Sequence, residues 1–200
     1  DMNPGANAAL YKELNPYYDL IFLMAYNEHF PNGEPGCISS LKFVEGELDK
    51  AMKEIPSEKV VLCVAGYGFD WPKDGVGKNL TYQNIISTAK ANDQKVFFNP
   101  MGSDISMYYT DDNDVEHEAH CNDAAGIFNL IRTSSNFNAA GVALWYLGSE
   151  DPRIWRFYSK NLDTQYLKTH PLNFQSLEKI DAIDAVSYEG KGEILEIINQ

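Results

Sequence analysis

Three apolar runs in this chain stop at residues that could hold a ligand. The first, from Tyr18 to Tyr26, ends abruptly in Tyr26-Asn27-Glu28-His29. The second, from Lys59 to Gly68, closes around Tyr67 and is followed by Trp71. The third, from Ala139 to Gly148, carries Trp145 near its end. Phenol and carboxamide groups fix hydroxyl and carbonyl oxygens, while indole and phenol rings offer flat apolar platforms. Such a set suits a flat-faced, hydroxyl-rich ligand lying in a groove. A proton donor that would turn a Tyr-Asn pair into a catalytic one has to be sought elsewhere.

Other candidate constellations fail on spacing. Asp111-Asp112-Asn113-Asp114-Val115-Glu116-His117-Glu118 is rich in acids, but polar residues interleave them, so the segment reads as a solvated acidic loop. It lacks the glycine and the later glutamate of a calcium loop. His117-Glu118-Ala119-His120 is one residue short of the zinc-protease spacing that places two imidazoles on one helix face. Gly75-Val76-Gly77-Lys78-Asn79 has Pro72 where a phosphate loop needs glycine, and Asn79 where it needs Ser or Thr. Cys37, Cys63 and Cys121 show no metal-binding spacing, and they read as packing residues or free thiols, with one disulfide left open. No metal and no cofactor is expected.

Composition narrows the partners. With 16 Lys+Arg against 29 Asp+Glu the net charge is −13, which repels phosphate backbones and anionic lipid. Nucleic acid is not an expected partner. No run approaches the roughly 20 apolar residues of a membrane span, so membrane insertion is not expected either. The beginning of the chain has neither the basic nor the apolar region of a signal peptide.

The elements that must position the three ends alternate. Helical spacing is expected over 6–14, over about 40–55 with Ser39-Ser40 able to cap it, from Thr81 onward, over 122–135, and again from Asp151-Pro152. Strand, helix, strand, helix, strand, helix predicts an α/β fold with βα units on a parallel sheet, each strand buried on both faces. Between the second run and the 122–135 helix lies a long excursion with short strand-like pieces. Residues 163–200 read as an appendage: a linker-like break at "THPLNFQ", then two short strands about Gly190-Lys191-Gly192.

Taken in order, "FLMAYNEH", "VVLCVAGYGFDW" and "GVALWYLGSEDPRIW" resemble the sixth, seventh and eighth strands of glycoside hydrolase family 18, the chitinase-like (β/α)8 barrels. "HEAHCNDAAGI" is similar to that family's segment before its last helix. The resemblance spans residues 1–162 and implies the C-terminal part of a TIM barrel (strands 6–8), of the bacterial branch joined to polysaccharide deacetylases and glycosyltransferases or acting on spore and cell-wall glycans. It implies a polysaccharide or oligosaccharide partner and an extracellular or cell-envelope setting. Tyr26 would hydrogen-bond the substrate N-acetyl carbonyl as that group attacks the anomeric carbon, and Asn27 stands where most members carry an acid. Tyr67 and Trp71 would line the groove, and Trp145 would form its aromatic floor.

The family's catalytic Glu follows an Asp-x-x-Asp-x-Asp pattern at the end of the fourth strand, and nothing before Asp19 contains that pattern. A whole barrel needs about 250 residues, so the expectation is a portion of a longer hydrolase, inactive alone, with its acid elsewhere. The alternative is a non-catalytic glycan-binding module. An open piece of barrel would expose its interior face, which implies self-association or rearrangement of that face.

Overall fold

The computed structural model describes residues 11–13, 15–99, 102–170 and 188–189. Three parallel strands form one sheet in the order β1 (Ile21–Met24), β2 (Val60–Ala65), β8 (Gly141–Trp145). Parallel neighbours need a crossover. Helix α1 (Leu41–Met52) connects β1 to β2, and helix α3 (Ala124–Asn136) leads into β8. Both lie on the same face. Val44 and Leu48 of α1, and Ile127, Leu130 and Ile131 of α3, pack with Val60, Leu62 and Val64 of β2.

Capping follows the sequence closely. Ser40 accepts the Phe43 amide at the start of α1, and Asp123 accepts the Gly126 amide at the start of α3. The expected helix at Asp151-Pro152 is a short 3-10 turn, Pro152–Arg156, with Asp151 as its cap. Most of the expected 6–14 helix lies outside the described residues; 11–13 are helical.

The expectation of strands buried on both faces holds for β2, whose residues are all buried, and needs correction for β1 and β8. Ile21 and Leu23 of β1 are buried beneath the helices, but Phe22 between them is 39% exposed. Period-2 alternation sends Phe22 to the opposite face. Val61 and Cys63 share that face and are buried.

The long excursion is a second sheet. It contains β3 (Tyr67–Pro72), β4 (Lys78–Thr81), β5 (Val96–Asn99), β6 (Asp104–Thr110) and β7 (Glu116–Cys121). Their order is β4-β3-β7-β6-β5, antiparallel throughout, and β9 (Tyr188–Glu189) adds to β5 in parallel. Helix α2 (Tyr82–Ala91), capped by Thr81, closes one face, with Ile85 and Ala89 against Ile105, Met107 and Ala119. The acidic segment was not a loop throughout. Asp111 turns the chain, its carboxylate accepting the amides of Asn113 and Val115, while Glu116–Glu118 belong to β7. Val115 and Ala119 supply the alternation that the intervening acids obscure.

Of the expected appendage, α4 (Thr164–Thr169) is described and docks on α3, where the Thr164 hydroxyl donates to Asn136 Oδ1 at 2.9 Å. Leu167 packs against the main core. The Gly190-Lys191-Gly192 turn lies outside the described residues.

A buried ion cluster joins the two layers. Arg153 donates through Nη2 to Asp151 Oδ2 at 2.6 Å and to the Tyr82 hydroxyl at 3.1 Å. Asp151 Oδ2 also accepts the first amide of α3, that of Ala124, at 2.9 Å. Asp123 lies 3.9 Å from the same guanidinium nitrogen. Arg153→Met would leave two buried carboxylates without their cation, a loss on the order of 3–5 kcal/mol. Urea denaturation should read that loss, and a change below about 1 kcal/mol would place the cluster outside the stabilising core.

Candidate functional site

The parallel register fixes where the three runs end. Met24 pairs with Cys63, and Ala65 pairs with Trp145. Tyr26 therefore follows β1, Tyr67 follows β2 and Trp145 closes β8 at one carboxyl end of one sheet, where α/β proteins place ligands.

Tyr67 is the hub of this rim. Its ring meets Tyr26 edge-on at 6.2 Å and stacks on Tyr146 at 5.8 Å. Trp145 stands edge-on to Tyr146 at 6.2 Å and is 56% exposed. The Tyr67 hydroxyl donates to Asn27 Oδ1 at 2.7 Å. Asn27 adopts a left-handed conformation, φ 59°, which asparagine tolerates better than most residues. That turn ends the apolar run, and the amide meets Tyr67 at the start of β3. With Oδ1 engaged by Tyr67, the carboxamide of this exposed residue still has its nitrogen donors.

Burial, then the neighbouring Tyr26, pushes the Tyr67 phenol well above the usual tyrosine range, although the Asn27 bond opposes this. Burial, and to a lesser degree Cys63, raises Tyr26 as well. Both hydroxyls stay protonated at neutral pH and serve as hydrogen-bond donors. The rim combines donors, a carboxamide and an exposed indole, which suits it to orient an acyl or hydroxyl oxygen beneath an aromatic platform.

Trp71 lies apart from this cluster. It sits on the same face of β3 as Tyr67, beyond Phe69, in an edge-to-face series with ring spacings of 5.6 and 5.5 Å. It is 3% exposed, and its indole nitrogen is buried without a hydrogen-bond partner. It borders a separate cleft of about 800 Å³, whose walls include Pro35, Tyr108, Tyr109, His117 and Glu118. There Asp70 accepts the Tyr109 hydroxyl at 2.7 Å and meets His117 Nδ1 at 2.8 Å, with the Tyr109 and His117 rings stacked at 4.5 Å.

Sequence reasoning overlooked Tyr146. Its signal was available, since it adjoins Trp145 at the strand end and offers an alternative ring there. The three cysteines are free thiols, so the disulfide left open by the sequence does not form. No described helix is long and apolar enough to cross a membrane.

No protein-family model matches the chain. Curated relatives do. It is 27% identical over 152 residues to an uncharacterized glycosylase, YvbX, of Bacillus subtilis, covering 75% of this chain and 44% of that protein. It is 28% identical over 157 residues to the cortical fragment-lytic enzyme of the same organism, covering 74% of this chain and 36% of the relative. The chain thus spans less than half the length of these relatives. Among solved structures, a chitinase from Chromobacterium violaceum superposes with a TM-score of 0.70 at 21% identity, over 76% of this chain and 48% of the other. The Bacillus cereus spore cortex-lytic enzyme SleL gives 0.69 at 23% identity, over 76% and 36%. A class V chitinase from Nicotiana tobaccum, solved in complex with NAG4, gives 0.58 at 16% identity, over 70% and 47%. The fold is that of chitinase-like proteins.

Tyr67→Phe tests the hub. The native fold retains the Tyr67 proton beyond the ordinary tyrosine pKa, near 10, whereas the unfolded chain releases it there. This contribution to stability is complete below that pH and is lost as pH rises above it. Denaturation profiles of wild type and Tyr67→Phe should therefore fall less steeply above pH 10 in the variant. Parallel profiles would show that Tyr67 titrates alike in both states.

Proposed function

We propose that this chain, a homologue of the chitinase-like hydrolases of glycoside hydrolase family 18, supplies the sugar-holding rim of a β-glycan hydrolase. The observation that carries the proposal is the convergence of Tyr26, Asn27, Tyr67 and Trp145 at one carboxyl end of one parallel sheet. In this reading β1, β2 and β8 correspond to the sixth, seventh and eighth strands of a (β/α)8 barrel. The remaining strands, and the acid that protonates the leaving group, belong to a part of the protein outside these 200 residues.

The substrate is a polysaccharide containing β-linked N-acetylglucosamine, of the cell-envelope type. A sugar ring lies with its C–H face on the exposed Trp145 indole. Tyr26 donates to the substrate's N-acetyl carbonyl oxygen as that oxygen attacks the anomeric carbon. The C–O bond to the leaving sugar breaks, and the external acid protonates the departing oxygen. Water then opens the resulting oxazolinium ring and releases a proton to the conjugate base of that acid. Asn27 orients the acetamido group through its carboxamide nitrogen while Tyr67 holds the carboxamide oxygen. Trp71 is buried behind the wall of the neighbouring cleft, where it would support the wall that more distant sugars meet.

One observation favours a second reading. Asn27 carries no charge to stabilise an oxazolinium, and its oxygen is already engaged by Tyr67. A non-catalytic glycan-binding module would need no more than that. Expressed alone, the chain would self-associate through its exposed apolar side chains, Phe22 among them. Light scattering should then find oligomers; a monodisperse monomer opposes this.

The full-length protein decides between catalysis and binding. With chito-oligosaccharides or spore-type peptidoglycan, Tyr26→Phe should lower kcat by roughly 10²–10³-fold with little change in KM, as for loss of one donor to a developing charge. Trp145→Ala should weaken substrate binding by about 2 kcal/mol, roughly 30-fold in KM. Full turnover by Tyr26→Phe would contradict the hydrolytic reading. Glycan binding by the wild type with no turnover would establish the binding module instead.

A further inference from the structure

Away from the aromatic rim, three donors of different chemistry meet where the loop after β1 crosses the second sheet. Among the described residues this is the place where three such side chains, Cys37, Asp104 and His120, bring ligand atoms within 4.8 Å of one another. Cys37 Sγ lies 3.3 Å from Asp104 Oδ1, and His120 Nδ1 lies 2.8 Å from Asp104 Oδ2. Asp104 is fully buried and His120 is 6% exposed. We propose that Cys37, Asp104 and His120 bind a divalent metal ion of the zinc type, with a fourth position open to water.

The spacing suits such an ion. Tetrahedral zinc with bonds of about 2.0–2.3 Å separates its donor atoms by about 3.3–3.8 Å. The three side chains need only small movements to reach those separations. Thiolate, imidazole and carboxylate together select a borderline ion over calcium or magnesium, which prefer all-oxygen sets. Charge closes as well: one thiolate and one carboxylate balance a divalent cation, with the imidazole neutral. On binding, the ion displaces the Cys37 thiol proton and any proton on His120 Nδ1, and both leave to solvent.

The surroundings favour this arrangement. A metal-bound imidazole usually gives its other N–H to a carboxylate, which fixes the tautomer and turns the free lone pair toward the ion. Glu118 Oε1 stands 2.9 Å from His120 Nε2, and the Tyr108 hydroxyl donates to that same oxygen at 3.1 Å. Gly102 makes the close approach possible: a Cβ there would fall 2.1 Å from Cys37 Sγ and 2.5 Å from Asp104 Oδ1. The ion would fasten the loop bearing Cys37, which begins at Asn27, onto β6 and β7. That role is structural and independent of whether the rim hydrolyses glycan.

The competing description is a metal-free hydrogen-bonded cluster, and the two are separable. The full-length protein, stripped with chelator and dialysed, is titrated with Co(II). The expected result is one equivalent bound, with a thiolate-to-cobalt charge-transfer band in the near ultraviolet that Zn(II) abolishes. Cys37→Ser should remove the band, His120→Gln should weaken binding at least 100-fold, and Glu118→Gln should weaken it roughly 10–100-fold. Absence of the band in the wild type overturns the proposal whether or not the variants fold. So does a band that survives in folded Cys37→Ser.

Discussion

One segment, residues 60–72, belongs to two sheets, and the rest of the architecture depends on that sharing. As β2 it is the central parallel strand; one residue later, as β3, it enters the antiparallel sheet. The hinge is Gly66, whose amide donates to the Trp145 carbonyl at 2.7 Å. A Cβ at Gly66 would press to 3.0 Å from both Leu144 and Glu150, so the last residues of β8 can close over the hinge because it has no side chain. Gly68 is more constrained still, since a Cβ there would fall 1.9 Å from the His120 carbonyl oxygen. The two glycines let β3 press against β7 while β2 stays registered with β1 and β8. Tyr67 stands between them and consequently meets groups from both sheets.

This junction couples stability to the site. The Asn27 side chain is held by Tyr67, so the left-handed turn after β1 is tied to the centre of the sheet. On the far side, the Ser149 carbonyl accepts the Tyr82 amide, and Arg153 reaches the Tyr82 ring at 5.5 Å. The chain beyond β8 is thereby anchored to the helix that covers the second sheet. Trp145 keeps its exposed indole on a strand end fixed from both directions.

Much of this was legible in the sequence for a simple reason. Buried parallel strands read as continuous apolar runs, and each run here stops where the strand leaves the core, so Tyr26, Tyr67 and Trp145 stood out. The Ser39-Ser40 pair and Thr81 stood at helix starts with the residue types that capping requires. The second sheet was harder. Its strands carry Asp70, Glu116, His117 and Glu118; Asp70 meets Tyr109 and His117, and Glu118 meets Tyr108, across neighbouring strands, so local polarity masked period-2 order. Trp71 looked equivalent to Tyr67 by sequence, but the four-residue separation along β3 carries it to a different cleft. The Cys37, Asp104 and His120 cluster was invisible because its members lie far apart in the chain and meet through strand pairing and a loop crossing.

Whether the rim is where a sugar sits is answered most directly by a crystal structure of the full-length protein soaked with a chitin tetrasaccharide. The account expects one sugar face lying on Trp145, with its acetamido group directed at Tyr26 and Asn27. Tetrasaccharide density confined to the Trp71 cleft, with the Tyr67 rim empty, would contradict it.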